Sequence, residues 1–149
     1  MPERLRESLE QIFGERVGQV ELVENSIYCR LHLRARATTR RNRILLIGTL
    51  EEFFADPELI LHEYYHVLRQ WNRGRMSVRS YLLESFVRGY RDNRFERQAR
   101  RFSSLRLPAF QRLLVAEETA RSPSSCCRDG GGGNTETLMT GTMRGSRRV

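Results

Sequence analysis

Not one lysine occurs among the 149 residues: all 26 basic side chains are arginine, set against 18 acidic ones, for a formal net charge of +8. Usage this one-sided points to compositional bias as much as to selection for a partner, so the charge alone assigns no nucleic acid and favours a solvated basic face. Cysteine is also scarce. Cys29, Cys126 and Cys127 are three in number and two are adjacent, which excludes a disulfide framework and does not fit a zinc knuckle. Long apolar runs are missing too: a stretch such as Ile44-Leu45-Leu46-Ile47 is far too short to cross a bilayer, and mean hydropathy is −0.57. The first ten residues alternate charges and contain no apolar core for a signal peptide. The expectation is one soluble, cytoplasmic domain with no membrane segment, large enough to bury a core unaided.

What is present is organised in two halves. Leu5, Leu9, Ile12 and Phe13 share one face of a helix over residues 3–13 that stops at Gly14. Residues 17–23, 27–35 and 43–48 have the texture of strands, with Leu31, Leu33 and Ala35 alternating with His32, Arg34 and Arg36, and predict a small, mainly antiparallel sheet. Beyond Gly48 the period becomes helical, with helices expected at 57–72, 77–89, 93–103 and 108–119. Asp56-Pro57 opens the first, Gly74 closes it, and Ser77 and Asn93 cap the next two. The fold class is therefore α+β, over residues 1–120. Residues 121–149, rich in glycine, serine and arginine and without periodicity, read as a disordered tail.

The chemistry concentrates in His62-Glu63-Tyr64-Tyr65-His66. Histidines four residues apart on a helix project from one face about a turn apart, which suits two ligands of one tetrahedral zinc ion. Ile60, Tyr64, Val67, Leu68 and Trp71 fall on the other side, so the helix is anchored by one face and offers histidines with the other. The plain alternative, two surface histidines, fits poorly with a chain that has only three histidines and places two of them at this spacing beside a glutamate. His32 reads as a surface or cleft-rim residue. A third ligand is needed, and Glu84 and Glu96 compete for it. Glu96 has the better setting: Asn93 caps its helix, Ala99 is small enough for close approach to the histidine helix, and Phe95 and Phe102 can anchor the other side. Glu84 is easily imagined in a salt bridge to an arginine, and Glu96 itself could pair with Arg100.

These two segments, His62-Glu63-Tyr64-Tyr65-His66 and Asn93-Arg94-Phe95-Glu96-Arg97-Gln98-Ala99, resemble the gluzincin-type zinc peptidases over roughly residues 40–103. The likeness is to minimal bacterial domains of a kind found in toxins and in proteins linked to contractile injection systems. The resemblance implies a zincin-like fold, Zn²⁺ held by His62, His66 and Glu96, and Glu63 as catalytic base, acting on a peptide or protein substrate. Arg94 departs from the small relatives, which often carry proline there.

On this reading a metal-activated water attacks a scissile peptide carbonyl, Glu63 moves its proton to the leaving amine, and Tyr90, Tyr65, Arg88 or Arg91 could donate to the oxyanion. Peptides bound to such sites commonly add to an exposed strand edge, and residues 43–47 are the candidate edge. The rival reading is a zinc-stabilised binding or assembly module of a secretion or injection system, without hydrolysis. A third, nucleic-acid binding through Arg88, Arg91, Arg94, Arg97, Arg100 and Arg101, lacks the interleaved aromatics of a stacking platform.

Overall fold

The computed structural model describes residues 1–27 and 36–121. Helix α1 (Glu3–Phe13) buries Leu5, Leu9 and Phe13 on one face, and Gly14 ends it at φ +67° while its N–H returns to the Glu10 carbonyl. A left-handed residue at that position satisfies an orphan carbonyl at little steric cost only when it is glycine. Strand β1 (Glu21–Val23) follows, then β2 (Ala37–Arg40) and β3 (Arg43–Leu46). The sheet runs in the order β1-β3-β2, with β1 parallel and β2 antiparallel to the central β3. Alternation turns Ala37 and Thr39 of β2, and Ile44 and Leu46 of β3, toward the core.

Thr49 caps the short α2 (Leu50–Phe54) with a reciprocal capping box to Glu52. Asp56 caps α3 (Pro57–Tyr65), accepting from the Leu59 N–H at 3.0 Å, with Pro57 at the first helical position. The same helix continues as a π turn over His66–Trp71, in which the Asn72 N–H reaches back five residues to the Val67 carbonyl. Helix α4 (Val78–Asp92) is capped by Ser77 and broken at Gly89, which has φ +76°. Helix α5 (Arg94–Arg121) is the longest.

The core lies around α3, whose Ile60, Leu61, Tyr64, Val67 and Leu68 are buried between α1, the sheet and α5. Phe102 stacks on Phe13 at 5.0 Å and lies 4.8 Å from Tyr65, joining α5 to α1 and to α3. The architecture is the α+β arrangement expected: an N-terminal helix, a small three-stranded mixed sheet, then a helical half.

Particular elements differ from the sequence expectation, each for a physical reason. The helices expected at 93–103 and 108–119 are one helix, running through Pro108. An interior proline costs about 3 kcal/mol, but Leu107, Phe110 and Leu114 continue the face begun by Phe102, and their burial holds the helix together. Strand β2 was not anticipated, because Thr38 and Thr39 sit among arginines; its partner β3 supplies the pattern. Strand β1 is shorter than residues 17–23: Val17 and Val20 reach the core through a turn, with the Val20 N–H on the Val17 carbonyl. Most of the strand expected over 27–35, with Cys29 and His32, and the expected tail beyond Arg121, with Cys126 and Cys127, lie outside the described residues. Among the described residues no helix is long and apolar enough to cross a membrane.

Ala99 has no exposed surface, on a helix that packs along α3. Ala99→Leu is expected to destabilise the chain by about 1–3 kcal/mol through overpacking, read from urea unfolding midpoints. A stability unchanged from wild type would show that the contact is loose.

Candidate metal centre

Three side chains from two helices converge. His62 on α3 and His66 at the start of the π turn present Nε2 atoms 3.1 Å apart, and Glu96, in the first turn of α5, places Oε2 3.2 Å from His62 Nε2. Its other oxygen, Oε1, lies 3.5 Å from His66 Nε2. Donors about 2.0–2.1 Å from one tetrahedral metal ion stand roughly 3.3 Å from each other, so these separations fit a shared ion. His62, His66 and Glu96 could therefore hold a metal. Glu84, the competing candidate, is elsewhere: it pairs with Arg88 at 3.1 Å, one helical turn along α4.

A residue that sequence reasoning overlooked prepares this site. Gln70 is 1 % exposed, and its amide N–H groups donate to the Phe95 carbonyl at 3.0 Å and to Gln98 Oε1 at 3.3 Å. A carbonyl only accepts, so the Gln70 NH₂ must face Phe95 and its oxygen must face His66. The His66 Nδ1 to Gln70 Oε1 distance of 2.7 Å is then a bond donated by His66. When His66 is neutral its proton therefore sits on Nδ1 and the Nε2 lone pair is left toward the space shared with His62 and Glu96, the tautomer a metal ligand requires; only the protonated ring can donate from Nε2 to Glu96. The glutamine four residues past the second histidine was the available signal.

Asn93 and Tyr81 position Glu96. Buried Asn93 accepts the Phe95 N–H at 2.9 Å as the expected cap of α5, and its amide donates to the Tyr81 carbonyl and to Ser85 Oγ at 2.7 Å. The Tyr81 hydroxyl donates to Glu96 Oε1 at 2.9 Å, leaving Oε2 toward the histidines. Arg94 lies with its guanidinium 4.7 Å from the Phe95 ring centre, at a helix position where the backbone N–H is an orphan in any case.

The two glutamates are driven in opposite directions. Burial raises the Glu63 carboxyl above the usual range, with the neighbouring histidines offsetting this in part and Glu96 adding to it. Burial also works against ionisation of Glu96, but hydrogen bonds from His62 and His66, and their charge, hold it well below the usual range. His66 loses proton affinity to burial yet gains more from its bond to Glu96 and the charges of Glu63 and Glu96, and is raised.

The centre opens into a cleft of about 290 Å³ between β2 and α4. Trp71 Nε1 donates to Thr39 Oγ1 at 3.2 Å and ties β2 to the end of the metal helix. Of the four groups considered as oxyanion donors, only Tyr90 lines this cleft. Burial, then the charges of Glu96 and Glu63, push its phenol up to about 12, so it stays a donor at neutral pH. Tyr65 packs on Phe102 and Arg88 on Glu84. The strand edge also moves: β3, with residues 43–46, is the central strand and is paired on both sides, so the edge expected over 43–47 is not free. The outer strand at the cleft, among the described residues, is β2.

Elemental analysis is expected to find one metal ion per chain in wild type and in Glu84→Ala, and none in Glu96→Ala. Gln70→Leu leaves His66 Nδ1 and the Phe95 carbonyl without their partner. It should weaken metal affinity about 10–100-fold in chelator competition, and an affinity equal to wild type would remove the tautomer argument.

Comparison with known proteins bears on the first half of the chain. No curated protein and no solved structure matches it. Residues 1–74, which carry His62, Glu63, His66 and Gln70 but not Glu96 or Tyr81, match the eCIS core domain family, a similarity consistent with association with the extracellular contractile injection system.

Proposed function

We propose that this chain is a zinc-dependent, metallopeptidase-like domain that hydrolyses peptide bonds with activated water. The observation that carries the reading is the convergence of His62, His66 and Glu96 at tetrahedral spacing, with Glu63 beside them, in a cleft walled by the outer strand of the sheet. Two imidazoles and one carboxylate form a donor set typical of catalytic zinc, which leaves a position open to water. When bound, zinc would acidify that water and polarise the scissile carbonyl.

The chain's own residues supply the rest. Glu63, nearly buried at the cleft floor and raised in proton affinity by that burial, takes the proton of the attacking water and delivers it to the leaving nitrogen. Tyr90, neutral at physiological pH, donates to the carbonyl oxygen as negative charge develops there. Tyr81 is committed to Glu96 and keeps one carboxylate oxygen directed at the metal position. A substrate strand lying along β2 would cross the histidines, with main-chain bonds providing affinity for many sequences.

The family similarity favours a second reading: a zinc-stabilised assembly module that works with injection-system proteins and cuts nothing. Glu63→Gln separates the two. On the peptidase reading the variant binds zinc as wild type does but loses about 10²–10⁴-fold in rate on an unstructured protein substrate, followed by mass spectrometry of the products. If metal-loaded wild type and variant are equally inactive, the assembly reading replaces it. On either reading zinc at about 1,000 times its Kd should raise stability by about 4 kcal/mol, measured by thermal unfolding with and without chelator.

A further inference from the structure

Helix α4 is amphipathic in the reverse sense. No residue of it is fully buried, and its partly covered side chains, Ser80, Tyr81, Glu84 and Ser85, are polar and lie on the arc toward the body of the protein. Val78, Leu82, Leu83, Phe86 and Val87 occupy the opposite arc, on a step of about 100° per residue, and are exposed, Leu83 by 66 % and Phe86 by 90 %. An exposed apolar arc of this size on a small domain marks a contact surface.

What covers it is constrained by three observations. First, the arc is continuous with the cleft: Val78 and Leu82 line the metal centre from one edge of the arc, across from β2, while Leu83, Phe86 and Val87 carry the same surface outward. Second, Arg79 is the sole charge on the outward arc from Val78 to Val87, since Glu84 turns inward to Arg88. A second copy of the chain would bring only arginines together there. Third, Arg79 stands in the middle of the apolar arc, whereas helices that lie on membranes carry their cations on the opposite face.

We propose that the outward face of α4 is a docking ledge for an apolar stretch of the polypeptide held in the cleft, with an acidic side chain of that stretch meeting Arg79. The proposal rests on the reading that a polypeptide occupies the cleft, and it names the substrate feature selected: an apolar segment several residues from the bond over the metal, flanked by carboxylates.

The test uses the zinc-loaded full chain carrying Glu63→Gln, so that binding is read without turnover. Three fluorescently labelled peptides are compared by anisotropy: one with a Leu/Phe/Val core and aspartate flanks, one with the same core and arginine flanks, and one with the core replaced by serine. The aspartate-flanked peptide should bind best, and Leu83→Ser or Phe86→Ser should weaken it about tenfold with zinc content unchanged, which confirms that the variant is folded. Equal binding by Phe86→Ser, or no discrimination among the peptides, overturns the ledge. So does a dimer in sedimentation that Phe86→Ser dissolves, or flotation of the chain with anionic vesicles. Cleavage is scored separately with Glu63 restored. Binding that depends on Phe86 without cutting keeps the ledge and removes hydrolysis; cutting of short peptides with binding indifferent to Phe86 keeps hydrolysis and removes the ledge.

Discussion

The buried amide of Gln70 is the joint on which the site depends. It reaches from the metal helix to the Phe95 carbonyl, one residue before Glu96, and with its other end accepts from His66. One side chain thus bears on both the protonation of His66 and the position of the helix that carries Glu96. The arrangement is stable because the alternatives are costly: a flipped amide would face NH₂ against NH and oxygen against oxygen, and an unsatisfied buried polar group costs about 1–3 kcal/mol. The π turn over His66–Trp71 belongs to the same device, since such turns recur where a helix must place side chains out of regular order.

Around this joint, two carboxylates of the same kind acquire opposite characters. Glu96 lies against both histidines and is held as an anion; Glu63, buried beside them, lies where desolvation dominates and binds its proton more readily. Divergent environments thus give two neighbouring acids opposite proton affinities. Tyr81 reinforces the division by donating to Glu96, and desolvation with that bond keeps its own proton in place.

The cleft is a consequence of how two marginal elements are attached. Among the described residues strand β2 has a single neighbour in the sheet, and its Thr39 accepts from the Trp71 indole. Helix α4 buries almost nothing and is held by Asn93, Tyr81 and the stacking of Tyr81 near Phe95. Both attachments are polar or aromatic contacts at points, not broad apolar seams, so the space between them stays open and its helical wall stays apolar toward solvent.

The sequence alone was enough to identify the α+β class, the first helix to its last residue, and the histidine helix with its Asp56-Pro57 start and two histidines on one face, because these follow from local period, capping and an i, i+4 spacing. That Glu96 rather than Glu84 would come to lie beside the histidines was also legible, through Asn93 and Ala99, both of which are buried. What tertiary structure decided was everything that depends on a partner distant in the chain. Strand β2 exists through pairing with β3, the proline at 108 is tolerated through packing on α1 and α3, and β3, strand-like in sequence, became central rather than an edge. Gln70 acquired its role only when folding brought the Phe95 carbonyl to it. The outward apolar arc of α4 has a helical period in the sequence, but whether such an arc faces core or solvent depends on what polar groups lie across from its other side, and here Glu96 and Asn93 claim the polar face.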